Sequence, residues 1–144
     1  MNDGRTDAEI FSAGRITPQR RAIAEAAASL GGAFTVEELV AAVRKRIGAT
    51  ATATVYRAVS AMEASGWLER VGQRGASALF ARCAEKSGHH HHLVCDRCGR
   101  VAATECPLPD GSAPSECRRQ DGFLVTRHEV TLYGLCPDCR RTDG

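Results

Sequence analysis

Two Cys-x-x-Cys pairs, Cys95/Cys98 and Cys136/Cys139, are the residues in this sequence with the clearest chemistry. Four consecutive histidines, His89, His90, His91 and His92, stand just before the first pair, and His128 stands before the second. Each pair places two thiolates within one tight turn, and two pairs supply the closed tetrahedral sulfur shell of structural zinc. A single Cys-x-x-Cys would be a weak signal, but two of them beside five histidines are a strong one. The other uses open to these cysteines are disulfide stapling and burial as small apolar side chains.

Composition bounds the setting. The opening residues MNDGRTDAEI lack a basic segment followed by an apolar one, and no run of about 18 apolar residues occurs, so neither a secretory signal nor a membrane span is expected. The expected location is the cytoplasm, where seven cysteines, an odd number, suit metal ligation better than bridging. With 144 residues, two small cores are feasible if one is stapled by metal. The net charge of +2 does not announce a nucleic-acid binder. Its distribution is more informative: Arg15, Arg20, Arg21, Arg44, Lys45, Arg46 and Arg57 face only Glu25, Glu37 and Glu38 in the same stretch, an excess suited to phosphate contacts or to solubility.

The elements that position these groups are legible from caps and periodicity. Thr17-Pro18 reads as an N-cap with proline at the first helical position, followed by Ile23, Ala26, Ala27 and Leu30 on one face and a stop at Gly31-Gly32. Thr35-Val36-Glu37-Glu38 is a capping box, opening a helix with Leu39, Val43 and Ile47 inward and Gly48 at its end. A third helix is predicted from residues 50–52 to Gly66, with Val55, Val59 and Met62 inward and Thr54, Tyr56 and Arg57 turned largely outward. Strands are predicted over residues 67–71 and 78–82, with a turn at Gly72-Gln73-Arg74-Gly75. Three short helices and a hairpin make a winged helix-turn-helix, whose third helix enters the DNA major groove. An exposed Tyr56 beside Arg57 suits a thymine methyl and a phosphate or guanine, although Tyr56 covering the core edge and Arg57 pairing a carboxylate is equally open.

Thr17-Pro18-Gln19-Arg20, Thr54-Val55-Tyr56-Arg57, the histidine run followed by Leu93-Val94-Cys95-Asp96-Arg97-Cys98-Gly99, and Cys136-Pro137-Asp138-Cys139 together resemble the ferric uptake regulator superfamily, in order and spacing. Within it the chain looks most similar to the zinc uptake regulator branch. The resemblance implies an α+β protein: a winged helix-turn-helix DNA-binding domain over residues 1–82, including an N-terminal extension, then a small α/β zinc-stapled dimerisation domain over residues 83–144. It implies a homodimeric, metal-responsive repressor of inverted-repeat operator DNA, with no catalytic residues, no small-molecule substrate, and DNA contacts from Arg15, Gln19, Arg20, Thr54, Tyr56 and Arg57.

If the histidine run lies on a strand, alternate side chains point to opposite faces, so His89 and His91 serve one site and His90 and His92 another. In the resemblance, His90 and His92 join Cys83 and Glu69 in a regulatory site. A thiolate, a carboxylate and two neutral imidazoles around zinc are formally neutral, and the Cys83 thiolate biases the site toward zinc over iron or manganese. His89 and His91 would join His128 and a carboxylate beyond Cys106, with Asp110 the candidate by spacing and Glu105 and Glu116 as alternatives. The expected content is two to three zinc ions per chain. Prolines and glycine shorten the helix expected after Cys106 to residues 113–120, and a strand region is expected over 123–133 with Phe123, Val125, Val130 and Leu132. Cys106 and Cys117 take no role in this reading. The alternatives are an iron, nickel or peroxide sensor of the same family, a zinc hydrolase or deaminase, and a zinc-ribbon interaction module. The histidine cluster lacks the H-E-x-x-H and H-x-E pairings that such enzymes need.

Overall fold

The computed structural model describes residues 7–11, 15–82, 89–106, 122–123 and 125–142. It is an α+β structure in the order α1 (Asp7–Phe11), α2 (Pro18–Leu30), α3 (Val36–Ile47), α4 (Thr52–Ala64), β1 (Glu69–Arg74), β2 (Ser77–Ala81), β3 (His90–Cys95), β4 (Val101–Glu105), β5 (Thr131–Gly134) and α5 (Pro137–Arg141).

Local chemistry sets the helix ends. The Thr17 hydroxyl accepts from the Arg20 amide at 3.2 Å, and Gly31, at φ 72°, closes α2 in the left-handed conformation that glycine adopts freely. The capping box of α3 is complete: Thr35 N donates to Glu38 Oε2 at 2.8 Å, and Glu38 N donates to Thr35 Oγ1 at 3.2 Å. No side chain caps α4. Instead the Arg44 guanidinium donates to Thr50 O at 3.2 and 3.1 Å and to Thr52 Oγ1 at 3.3 Å, fixing the turn between α3 and α4. Ile23, Ala26, Ala27, Leu39, Val43, Val55, Val59 and Met62 are buried as expected, but Leu30 and Ile47 are exposed. Each is the last residue of its helix, beyond the reach of the facing elements.

The short α1 has no counterpart in the sequence reading. Ile10 and Phe11 are buried in the main core, Ser65 Oγ donates to Ile10 O at 2.6 Å, and the Arg20 guanidinium lies 5.4 Å from the Phe11 ring centroid. Two apolar residues without a periodic neighbourhood gave no helical signal.

The hairpin turns at Gly75 and Ala76, not over residues 72–75, and Gly72, Gln73 and Arg74 belong to β1. The register shifts between Arg70 and Gly72, and Phe34 bridges Phe80 as a third partner of the wing. Gly72 serves a close approach instead of a turn: a Cβ there would collide with the Tyr133 hydroxyl, whose oxygen accepts from Gln73 N at 2.8 Å.

The second sheet has the order β4-β3-β5, antiparallel between β3 and β4 and parallel between β3 and β5. Its strand period assigns two faces. His90, His92 and Val94 turn toward the wing, where Val94 packs with Val71, Leu79 and Ala81, and Thr131 Oγ1 donates to Val71 O at 2.9 Å. His91, Leu93 and Leu132 turn the other way. The strand expected over 123–133 is confined to Thr131–Gly134, preceded by irregular chain with Phe123 73% exposed. The helix expected over 113–120 lies outside the described residues.

The wing-bearing half and the cysteine-rich half also meet backbone to backbone, Ala33 N donating to Gly99 O at 2.7 Å. A Cβ on Gly32 would stand 2.7 Å from that same carbonyl oxygen, so only glycine fits without a shift. Gly32→Ala is therefore expected to cost about 1–3 kcal/mol by overpacking, read as a lowered midpoint in urea unfolding. An unchanged midpoint would refute this account of the junction.

Candidate metal centres

Among the described residues, three clusters bring together side chains able to ligate a metal. The first joins Cys95, Cys98, Cys136 and Cys139, as the sequence predicts. Cys95 ends β3 and Cys98 follows in the turn closed by Gly99 at φ 75°. Cys136 is the N-cap residue of α5, and Cys139 lies one turn on. Arg97 fastens the two turns by donating to Cys139 O and Thr142 Oγ1, both at 2.9 Å, and Arg100 pairs with Asp138 at 3.1 Å. Cys98 Sγ and Cys136 Sγ are 3.7 Å apart, close to the edge of roughly 3.8 Å that a zinc–sulfur tetrahedron requires. The cysteines here are free thiols, so stapling by disulfides does not describe this site. Backbone amides of Cys98 and Cys136 pull the Cys95 thiol down to about 6, while burial and then the neighbouring sulfurs push Cys139 up to about 12. One thiolate forms readily and the last resists forming until a cation arrives.

The second cluster is Glu69, His90 and His92. Glu69 opens β1 of the wing, and its Oε2 lies 3.3 Å from His90 Nε2 and 3.1 Å from His92 Nε2. The carboxylate comes from the wing and the imidazoles from the sheet, so a cation held here would bridge the two. Cys83, the expected fourth ligand, lies outside the described residues.

The third cluster is His89, His91, His128 and Cys106. His89 Nε2 lies 3.3 Å from His91 Nε2 and 3.1 Å from His128 Nε2, and Cys106 Sγ lies 3.2 Å from His128 Nε2. His91 is buried, and desolvation, followed by the charges of the surrounding histidines, lowers its pKa, which keeps the ring neutral and fit to ligate. Val130 N donates to His91 Nδ1 at 3.1 Å. Ligation through Nε2 would need a proton on Nδ1 and hence the release of that bond. The histidine alternation expected from the strand period is the alternation observed. Asp110 and Glu116 lie outside the described residues, and Glu105 is exposed and outside all three clusters. Cys106 stands outside the ligand set expected from the sequence because its face is set by strand pairing: Thr104 pairs with His91 across the sheet, so two residues on, Cys106 shares the face of His89 and His91.

The helix-turn-helix residues are placed as follows. Tyr56 is 46% exposed on α4, and its hydroxyl donates to Glu37 Oε1 at 2.8 Å. That bond lowers the Glu37 pKa and raises that of Tyr56. Arg57 is exposed, reaching back to Thr54 Oγ1 at 3.4 Å, and Arg15 and Gln19 are exposed. Arg20 is half-buried by its stacking on Phe11. Arg44, counted above in the basic excess, is engaged in the α3–α4 turn.

The chain matches the ferric uptake regulator family over residues 12–133. It belongs to that family. Transcriptional regulator FurA of Mycobacterium tuberculosis is 33% identical over 130 residues, covering 90% of this chain and 85% of that protein. Among solved structures, a zinc uptake regulator complexed with zinc and DNA shares the fold at a TM-score of 0.65 and 23% identity, covering 90% of this chain and 85% of that one. Holo XcZur matches at 0.62 and 25%, covering 94% of both chains. This chain is thus a Fur-family transcriptional regulator, and its described residues include three clusters that could hold a metal ion.

The thiol chemistry gives a pH dependence for the sulfur centre. With Cys139 raised to about 12, zinc must displace at least one thiol proton throughout the neutral range, so binding tightens as pH rises. Competition against a chromophoric chelator should show affinity at least about a hundredfold higher at pH 8 than at pH 6, a factor of ten per proton per pH unit. A pH-independent affinity would contradict four-thiolate ligation.

Proposed function

We propose that this protein is a zinc-responsive transcriptional repressor, binding inverted-repeat operator DNA as a homodimer when zinc-loaded and so controlling zinc homeostasis in the cytoplasm. We assign it no catalytic activity and a content of two to three zinc ions per chain. The observation that carries the reading is Glu69. This carboxylate belongs to the wing but points at His90 and His92 of the sheet, so the ligands of one ion come from the DNA-binding half and from the other half.

Zinc supplies a divalent charge and a fixed tetrahedral geometry at that junction. Glu69, His90 and His92 would hold it, with Cys83 as fourth ligand, since Cys83 follows two residues after Ala81, the register partner of Glu69. Held this way, the wing and α4 keep one orientation relative to the sheet. Released, only a fraction of molecules has that orientation, and apparent DNA affinity falls by that fraction. The four-cysteine centre is structural, and the His89, His91 and His128 centre is accessory, with Asp110 the carboxylate that the family resemblance implies.

The division of labour at residue 82 follows the same logic. Residues 1–82 bind DNA and residues 83–144 dimerise. The face of the sheet turned away from the wing carries Leu93, 41% exposed, beside its strand partner Leu132, 50% exposed, an apolar surface suited to a second copy. A dimer presents two α4 helices to successive major-groove turns. Half-buried Thr54 and exposed Tyr56, Arg57, Arg15 and Gln19 would contact DNA, and Arg20 would add a phosphate contact once it leaves Phe11. Among the described residues no helix is long and apolar enough to cross a membrane.

A second reading, an iron-type sensor of the same family, is favoured by one observation: the ligands of the bridging centre among the described residues are all nitrogen and oxygen. Cys83 decides between the readings. The test is binding to a duplex selected from a randomised pool, at buffered free zinc, manganese or ferrous iron. Binding should appear with zinc and be lost on chelation, while Cys83→Ser and His92→Ala should abolish it without dissociating the dimer. Binding supported equally by manganese or iron, or unaffected by chelation, would contradict the zinc reading.

Tyr56→Ala should weaken binding to the selected duplex by ~1–3 kcal/mol and leave binding to unrelated duplex nearly unchanged, measured by anisotropy titration at fixed salt. Equal losses on both duplexes would show that Tyr56 supports the fold instead of reading a base.

A further inference from the structure

We propose that Cys106 supplies a thiolate to the centre of His89, His91 and His128, completing a four-coordinate shell for a borderline-soft divalent cation of the zinc class. The geometry is that of a shell before closure. Zinc–nitrogen and zinc–sulfur bonds of about 2.0–2.3 Å put tetrahedral ligand atoms roughly 3.3–3.8 Å apart. The three separations here are 3.3, 3.1 and 3.2 Å, and all four donor atoms lie within 4.8 Å of one another. These three separations are already close to tetrahedral edges, so small side-chain adjustments, with a proton moved to His91 Nδ1 and its bond from Val130 N released, would complete the shell.

The backbone places Cys106 there without help from the chain that follows it. It is the first residue after β4, and the register that sets Thr104 opposite His91 and Glu105 opposite His90 carries residue 106 onto the face of His89. This face is the one turned away from the wing. The centre therefore holds together β3, the end of β4 and the segment leading to β5, and it makes no bridge to the DNA-binding half. Loading releases the Cys106 thiol proton to solvent, leaving one thiolate and three neutral imidazoles around the ion, a set that favours zinc or cobalt over manganese. No carboxylate from beyond Cys106 is then required. The proposal rests on the metal-responsive reading only for the presence of metal; its test reads ligand identity, not DNA binding.

The test is cobalt(II) loading under anaerobic conditions, with zinc retained in the four-cysteine centre, in a chain carrying Cys83→Ser, His90→Ala and His92→Ala so that the bridging centre is silent. One equivalent of cobalt should bind with an intense near-ultraviolet thiolate-to-cobalt band. Adding Cys106→Ser should remove that band, Cys106→Asp should keep cobalt bound without it, and Cys117→Ser should leave it in place. In the unaltered chain, zinc should protect Cys106 from iodoacetamide, read by peptide mass spectrometry, and chelation should restore its alkylation. A band that survives Cys106→Ser, cobalt bound without any such band, no cobalt uptake, or alkylation of Cys106 indifferent to zinc would each overturn the proposal.

Discussion

The period of two along β3 is the constraint on which the rest of this molecule depends. Four consecutive histidines on a strand cannot serve one ion, because neighbours leave the backbone on opposite sides. The sheet therefore carries one histidine pair on each face. His90 and His92 meet Glu69 of the wing, and His91, with His89 just ahead of the strand, meets His128 and Cys106. A one-residue slip of register would exchange the two sets and leave Glu69 facing the wrong imidazoles. The register is held by β4 on one side and by the parallel pairing with β5 on the other.

Around this strand, specific contacts among the described residues join the two halves. Tyr133 lies against Gly72 and accepts from Gln73, Thr131 donates to Val71, and Gly99 accepts from Ala33 beside Gly32. Among the described residues the small cluster of Val71, Leu79, Ala81 and Val94, with Ala33 and Val101 packed against it, adds apolar burial across the junction. Among the described residues this junction buries far fewer side chains than the main core, so a cation shared between Glu69 and the two histidines would be a large perturbation of its energy. That is the physical basis of the coupling we propose between metal occupancy and the placement of α4.

Much of this was legible in the sequence, and the exceptions have physical reasons. Caps announced α2 and α3, paired cysteines announced the sulfur centre, and strand alternation announced the division of the histidines. What escaped was set by tertiary contact. Gly72 looked like a turn residue but is the room that Tyr133 occupies. Leu30 and Ile47 continued an apolar stripe but sit at helix ends where no partner covers them. Residues 7–11 form a helix because Ile10 and Phe11 find a core, not because they carry a helical pattern. Residues 125–130 stay irregular although apolar and polar residues mix there, their ladder with β3 beginning at Thr131. Cys106 was passed over because its face follows from its pairing with β3, which no single strand discloses.

The central claim is that an ion at Glu69, His90 and His92 fastens the wing to the sheet, and amide hydrogen exchange tests it most directly. With the sulfur centre already filled, free zinc would be raised in steps and exchange followed across Glu69–Arg74 and His90–Cys95. The account predicts that both strands gain protection together, at the zinc level where DNA binding appears, and that His92→Ala removes the gain in both. DNA binding that appears with no change in exchange at either strand would contradict it.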